Sequence, residues 1–480
     1  MGWVYIFGGV YLLILLAVCL RIIYETRSAT KTMAYLLLAV FIPVGGIVFY
    51  LLFGVNFWKT RMYSSKSDED EKLLEHVKKE MKIYGSETVL PEELPAENRE
   101  LAVMLQKGLN SPLTRRNKLK LLINGEEKFP EVLEAIRNAK HHIHIQYYIF
   151  AQDKIGEQIE ELLIEKATEG VRVRFIYDDF GSPNIKKGIE DRMRKAGIEI
   201  YPFQKVMFYL LANRLNYRNH RKTLIIDGQT AFTGGINVCD KYINNGTHKL
   251  FWRDTHLRID GPGVFYLQYL FLTDWKFCCN EDLKLDEFQF PAPATHKEDS
   301  FLQVAASGPE SKQPSVQFSL LQSIFLAKNE ILITTPYFIP GDSILEALKI
   351  AALSGLSVKL LVPGVCDSKL VNAASKSYYE DLLCAGVEVY VYKKGFVHAK
   401  TLVADGNLSI IGTANMDYRS FELNFEANVL LYDRTFAEEL RSVFYKDLEE
   451  AEKIDKDEWC KRPASEQLPE RLARLFSHVL

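Results

Sequence analysis

The sequence predicts an α/β protein built from two fused α-β-α lobes with pseudo-twofold symmetry, preceded by an N-terminal two-helix transmembrane hairpin. Three observations carry this. A strand–helix–strand grammar occurs twice, a short polar motif occurs twice at matched spacing, and two long uncharged apolar runs open the chain. At 480 residues, 48% hydrophobic and 25% charged, the chain is ordinary for a folded protein and long enough for more than one core. Its formal net charge of −3 argues against a broadly basic nucleic-acid coat. The seven cysteines form no CxxC pair, so reduced thiols are the simpler reading than a zinc site or a disulfide framework.

The elements follow in order. Met1–Leu20 and Met33–Trp58 contain no charged side chain. Each is long enough to cross a bilayer core, which takes about 20 helical residues. No Lys or Arg precedes the first run, which argues against a cleaved signal peptide. The spans are placed at about 3–23 and 33–57 within a hairpin, 1–60. Basic residues after the second run (Lys59, Arg61, Lys66, Lys72) lean toward cytoplasmic chain ends. A charged linker, 61–100, includes the run Asp68–Lys72.

The first lobe is placed at 101–290. His141–Phe150 reads as a buried strand, Ile155–Glu169 as a helix stopped by Gly170, and Val171–Tyr177 as a second strand. The apolar run Val206–Leu211 serves equally as buried strand or helix and as a lipid-facing wall. Pro291 and Pro293 mark a linker. The second lobe, 301–480, repeats the pattern with strand Ile331–Phe338, helix Ser343–Ser354 and strand Val358–Val362. Strand–helix–strand units imply parallel pairing. Leu468, Leu472, Leu475, Phe476 and Val479 recur at helical spacing and predict a C-terminal amphipathic helix docked on the core.

Chemistry concentrates in the duplicated motif. His220, Lys222 and Asp227 match His398, Lys400 and Asp405 in an H-x-K-x4-D pattern. Each copy runs on to a small-residue turn ending in Asn237 or Asn415. Residues two apart on a strand share a face, so each His points with its Lys. Each Asp stands at odd separation beside Gly228 or Gly406, where fixing a turn is its simpler task. Two lysines could neutralise phosphate oxygens, and two imidazoles could divide nucleophilic attack and proton transfer. The residues alone leave open which imidazole attacks. No paired carboxylates at metal-ligand spacing appear in these segments, so no metal or other cofactor is expected. Two acidic residues, Glu426 and Asp254, are candidates to orient the imidazoles.

These two motifs resemble the phospholipase D superfamily. The resemblance extends to its bacterial cardiolipin synthase branch through Asn216–Lys222, Trp252–Pro262, Thr335–Phe338, Gly412–Ser420 and Asn424–Glu426. It implies phospholipase D-like lobes, with His220 as nucleophile and His398 as general acid and base. Lys222, Lys400, Asn237 and Asn415 would bind the phosphoryl group, Asp227 and Asp405 would complete the catalytic motifs, and Glu426 would orient His398. Asp254 is assigned to His220 by extension. Gly235 and Thr413 stand where the superfamily often has Ser. The implied reaction joins two phosphatidylglycerol molecules into cardiolipin, with the bilayer and these lipids as partners at a bacterial cell membrane. The implied alternatives are a hydrolytic phospholipase D and a nuclease. For the latter, Arg214, Arg218, Arg221 and Lys222 supply a local basic cluster. The overall acidity and the apolar spans count against nucleic acid as partner, and oligomeric state is not readable.

Overall fold

The computed structural model describes residues 2–26, 29–42, 44–51, 86–87, 90–203, 218–246, 248–279, 300–309, 311 and 313–479. Most of the charged linker, the run Val206–Leu211, the linker with Pro291 and Pro293, and positions 52–57 of the expected second span lie outside these residues. The chain divides into two bodies, an N-terminal one and a large α/β one.

In the N-terminal body, helix Gly2–Glu25 runs past the expected turn at Arg21. It is the one helix among the described residues long and apolar enough to cross a membrane, with Tyr5–Glu25 as the qualifying stretch. Leu12, Leu13, Leu16 and Leu20 are exposed, whereas Leu15 packs inward. The second expected span is not continuous. Helix Ala29–Phe41 has 13 residues, and a separate turn follows at Gly45–Phe49. The break coincides with Pro43 in the sequence, a residue that cannot donate into a helical ladder. At 1.5 Å per residue, the described helix alone is shorter than a bilayer core. Ile22, Ala39, Ile47 and Tyr50 pack together, and the Tyr50 hydroxyl donates to Glu25 at 3.1 Å.

The α/β body is built on one mixed sheet to which both halves contribute. Outward from the junction, the first half runs Leu113–Ile123, Thr255–Asp260, Thr230–Gly234, Thr223–Ile226, His142–Tyr147, Arg172–Tyr177 and Glu199–Pro202. The second half runs Ser300–Ser307, Glu426–Tyr432, Leu408–Gly412, Thr401–Ala404, Glu330–Thr334, Ser357–Pro363, Glu388–Tyr392 and Ala451–Lys453. The order is the same in both, with an extra edge strand in the second. In each half three neighbouring strands are parallel and the strands bearing the motifs are antiparallel to them. Strands 113–123 and 300–307 pair antiparallel, so the halves share one ladder.

Local chemistry sets the boundaries. Asp153 caps helix Lys154–Thr168 by accepting from Gly156 N, and Ile155, Ile159 and Leu163 bury one face of that helix. The expected strand 331–338 stops at Thr334 because Pro336 cannot extend the ladder. Helix Ala464–Arg474 docks as expected but through another face. Glu470 and Ala473 are buried, whereas Leu468, Leu472, Leu475 and Phe476 are exposed. Arg471 pairs with Glu380 at 3.2 Å, Arg474 pairs with Asp381 at 3.0 Å, and the Arg474 guanidinium lies 4.1 Å from the Tyr378 ring, so polar contacts join Ala473 in the docking.

The two motif aspartates correct the resemblance. Each stands at the end of its strand opposite the His, in the left-handed region, with φ 53° at Asp227 and 51° at Asp405. The Asp227 carboxylate accepts from the N–H groups of Lys140, His141 and His142 at 2.8–3.0 Å. That of Asp405 accepts from Lys328, Asn329 and Glu330 at 2.7–2.8 Å. They anchor the start of the neighbouring parallel strand and are remote from the imidazoles. Asp227→Ala or Asp405→Ala should therefore cost about 2–4 kcal/mol, the loss of several charge-assisted hydrogen bonds plus a left-handed residue. Denaturant melts check this. An inactive variant with unchanged melting would return these residues to the catalytic set.

Candidate active site

The site forms where the two halves are stitched together. His220 N donates to Phe425 O at 3.0 Å, and Phe425 N donates to Arg218 O at 2.8 Å. On the other side, Gly395–Val397 pairs in parallel with Phe251–Arg253, and His398 N donates to Arg253 O at 2.7 Å. Each His is thus backbone-bonded to the loop of the opposite half that carries a carboxylate in the next position.

The side chains follow that crossing. His220 Nδ1 lies 3.1 Å from Glu426 Oε1, and His398 Nδ1 lies 2.7 Å from Asp254 Oδ2. The sequence reading had the partners reversed. An acceptor carboxylate places the proton on Nδ1, leaving each Nε2 with its lone pair. Both carboxylates are fully buried, while the imidazoles keep 20% and 15% of their side-chain surface open to the cleft.

The carboxylates are supported differently. Glu426 accepts from the Thr413 hydroxyl at 2.6 Å, from Ser420 Oγ at 3.1 Å and from Asn424 Nδ2 at 3.2 Å. Burial would raise its pKa, but the neighbouring His220 and Lys222 charges and these hydrogen bonds lower it below the ordinary carboxylate value. At the matching position of the first half, a Cβ on Gly235 would lie 2.0 Å from Asp254 Oδ1, so the carboxylate itself fills the space of a side chain. Asp254 Oδ1 accepts from Thr255 N at 2.7 Å. The Gly235 and Thr413 departures from Ser therefore have distinct structural meanings.

Lys222 and Lys400 are buried, each donating to the carbonyl of its own motif His at 2.7 and 2.5 Å. Burial lowers Lys222 to about 8, opposed by Glu426, Asp254 and Asp178. Burial and then the Lys222 charge lower Lys400 to about 7, against Asp254, Glu426 and Asp417. Lysines from both halves thus feel both carboxylates and each other. Burial, Lys400 and Lys222 push His398 down to about 4, outweighing Asp254.

Asn237 Nδ2 donates to the Tyr242 hydroxyl at 2.9 Å, and its Oδ1 accepts from Ile149 N at 3.1 Å. Asn415 Nδ2 donates to Asp417 at 3.0 Å, while its buried Oδ1 has no partner. Both asparagines are therefore oriented by their own half. Sequence reading missed Tyr148, whose ring lies 4.4 Å from that of His220. It also missed Asp178, which accepts from Asn219 N at 3.3 Å. Each follows directly on a parallel strand, the signal that could have found it. Among the described residues no group of three His, Cys, Asp or Glu is arranged to hold a metal ion.

The arrangement can hold one anion between two lysines and present an imidazole nitrogen on either side. Because such an anion favours charged lysines, its binding should draw protons into the site. A phosphodiester keeps constant charge near neutrality, so its affinity should fall roughly tenfold or more between pH 7 and 9, as Lys400 and then Lys222 lose their protons. Calorimetry with short-chain phosphatidylglycerol in two buffers of different ionisation enthalpy would show proton uptake. A pH-independent affinity, or proton release, would contradict the electrostatics.

A family profile described as "Cardiolipin synthase, PLD-like domain" matches residues 132–250 and 320–448, and one described as "Phospholipase_D-nuclease N-terminal" matches 11–54. The chain is 40% identical over 465 residues to a cardiolipin synthase of Geobacillus kaustophilus, covering 96% of this chain and 91% of that one. It is 40% identical over 485 residues to the Halalkalibacterium halodurans cardiolipin synthase, covering 100% and 95%. In fold it is similar to the phosphatidylserine synthase of Haemophilus influenzae, with a TM-score of 0.59 at 13% identity over 75% of this chain and 95% of that one. It is also similar to the Porphyromonas gingivalis polyphosphate kinase, with a TM-score of 0.50 at 17% identity over 77% and 53%. The chain belongs to the cardiolipin synthase family of phospholipase D-like proteins.

Proposed function

We propose that the protein transfers a phosphatidyl group from one phosphatidylglycerol to the glycerol hydroxyl of a second, forming cardiolipin and glycerol. The observation that carries this is the crossed pair of imidazole–carboxylate contacts flanking two buried lysines, in a chain 40% identical to cardiolipin synthases over almost its full length.

In this reading His220 Nε2 attacks phosphorus. A P–N bond forms as the P–O bond to the departing glycerol breaks, and His398 gives that oxygen its proton. His398 then takes the proton of the acceptor hydroxyl, whose oxygen displaces His220. Glu426 stabilises the charge that His220 acquires, and Asp254 holds His398 in the tautomer it needs. The phosphodiester's negative charge offsets Lys222 and Lys400, raising His398 from its depressed resting value so that it can donate. Lys222 and Lys400 hold the non-bridging oxygens, with Asn237 and Asn415 adding neutral donors beside them. Fixed cations stabilise the transition state, so no metal is invoked.

The two halves act as pseudo-twofold lobes, divided near residues 290–300. Helix Gly2–Glu25 serves as a membrane anchor, with the body on the cytoplasmic side of a bacterial cell membrane. Purified protein with phosphatidylglycerol should yield cardiolipin and one glycerol per transfer, at a rate unchanged by EDTA. Phosphatidic acid as sole product would make it a hydrolase, and EDTA loss restored by Mg²⁺ would displace the lysines from their role. Cleavage of DNA in EDTA would support the nuclease alternative.

A further inference from the structure

Two arginines whose backbones are bonded to the Asn424–Phe425 segment behind His220 take no part in the mechanism above. Arg218 is 6% exposed, and its guanidinium lies 4.1 Å from the ring of Phe180, which is 52% exposed. Arg419, from the other half, is partly buried. Its carbonyl accepts from Leu423 N and Asn424 N, the turn that carries Asn424 Nδ2 to 3.2 Å from His220 Nδ1. Arg218 O and Arg419 O accept from the adjacent N–H groups of Phe425 and Asn424, which brings the two backbones together, and both cations oppose the burial that raises the hydroxyl of Tyr148, whose ring packs on His220. Among the described residues neither guanidinium has a hydrogen-bond or ion-pair partner of its own. The nearby carboxylate, Asp178, is already engaged by the N–H groups of Phe180, Gly181 and Asn219.

A nearly buried arginine that feels a carboxylate, Asp178, only at a distance and is hydrogen-bonded to none among the described residues is costly, and stacking on one aromatic face returns only part of that cost. Such a group is kept where an anion arrives to pair with it. Lys222 and Lys400 already serve the phosphoryl group that reacts. The product of the proposed reaction, however, carries two phosphodiesters joined through the three carbons of one glycerol. The acceptor therefore brings a second anion that stays intact, and the guanidinium fork suits its two non-bridging oxygens.

We propose that Arg218 and Arg419 form a subsite for the unreacted phosphodiester of the acceptor lipid, and that this subsite favours a lipid acceptor over water or free glycerol. The inference rests on the phosphatidyl-transfer reading. During the second step the acceptor's phosphodiester pairs with the arginines on the Tyr148 side of His220. Its terminal hydroxyl loses its proton to His398, the new P–O bond forms, and the P–N bond breaks.

The test compares two acceptors that share the first step. Full-length protein in phosphatidylglycerol vesicles is given labelled glycerol, and label entering phosphatidylglycerol is measured beside cardiolipin formed. Glycerol carries no phosphate and does not need the subsite. Arg419→Gln and Arg218→Gln should lower the ratio of cardiolipin formation to glycerol exchange at least tenfold, with a raised KM for acceptor lipid, and Arg419→Lys should lose less. Should Arg218→Gln not fold, Arg419→Gln, on a part-exposed turn, decides alone. An unchanged ratio, whether both activities fall together or neither falls, overturns the subsite. A wild-type protein that exchanges no glycerol and makes no cardiolipin instead overturns the transfer reading itself.

Discussion

The site depends on a crossing. His220 and its lysine come from one half, but the carboxylate behind that imidazole, Glu426, comes from the other, and Asp254 repays the arrangement for His398. Backbone hydrogen bonds impose the exchange, since His220 N is tied to Phe425 O and His398 N to Arg253 O, each one residue before the carboxylate. A half-protein would carry an imidazole without its carboxylate and a buried carboxylate without its imidazole. The shared ladder between strands 113–123 and 300–307 therefore does more than enlarge a core, because it fixes the register that assembles the chemistry.

That frame also explains the electrostatics. Two lysines, two imidazoles and two carboxylates are gathered where burial disfavours every charge. The result is a site with depressed lysines and a neutral His398 until an anion enters. The two halves are not copies in detail. Glu426 is steadied by hydroxyl and amide donors from Thr413, Ser420 and Asn424, whereas Asp254 uses a backbone N–H and occupies the volume left by Gly235. Unequal support of two otherwise matched imidazoles is a physical basis for giving them unequal work.

Much of this was legible in the sequence because it is local or periodic. The repeated strand–helix–strand grammar predicted the mixed α/β structure, and the spacing of Asp227 and Asp405 beside glycine predicted turn anchors even though family resemblance grouped them with the catalytic residues. The crossed partners were not legible. Nothing in the spacing from His398 to Glu426 tells which loop from the other half will lie beside it, and the pairing that the resemblance implied is the reverse of the one the backbone makes. The second apolar run looked continuous by composition, but its helix stops at Phe41, just before Pro43. In the C-terminal helix the leucine stripe predicted docking, yet Ala473, Arg471 and Arg474 make the contact, because salt bridges and a cation–π pair can outcompete a short apolar face. Tyr148, Arg218 and Arg419 acquire meaning only from their neighbours in space.

The central claim is that Glu426 serves His220 and Asp254 serves His398. A phosphatidyl donor with a p-nitrophenyl leaving group isolates the first of these, because p-nitrophenolate departs without a proton and so needs no general acid. The pre-steady-state burst of p-nitrophenolate then reports the nucleophile alone. The account predicts that Glu426→Gln slows the burst on the order of a hundredfold or more, while Asp254→Asn leaves the burst largely intact and impairs turnover afterward. A burst that survives in Glu426→Gln but collapses in Asp254→Asn would contradict the crossed pairing.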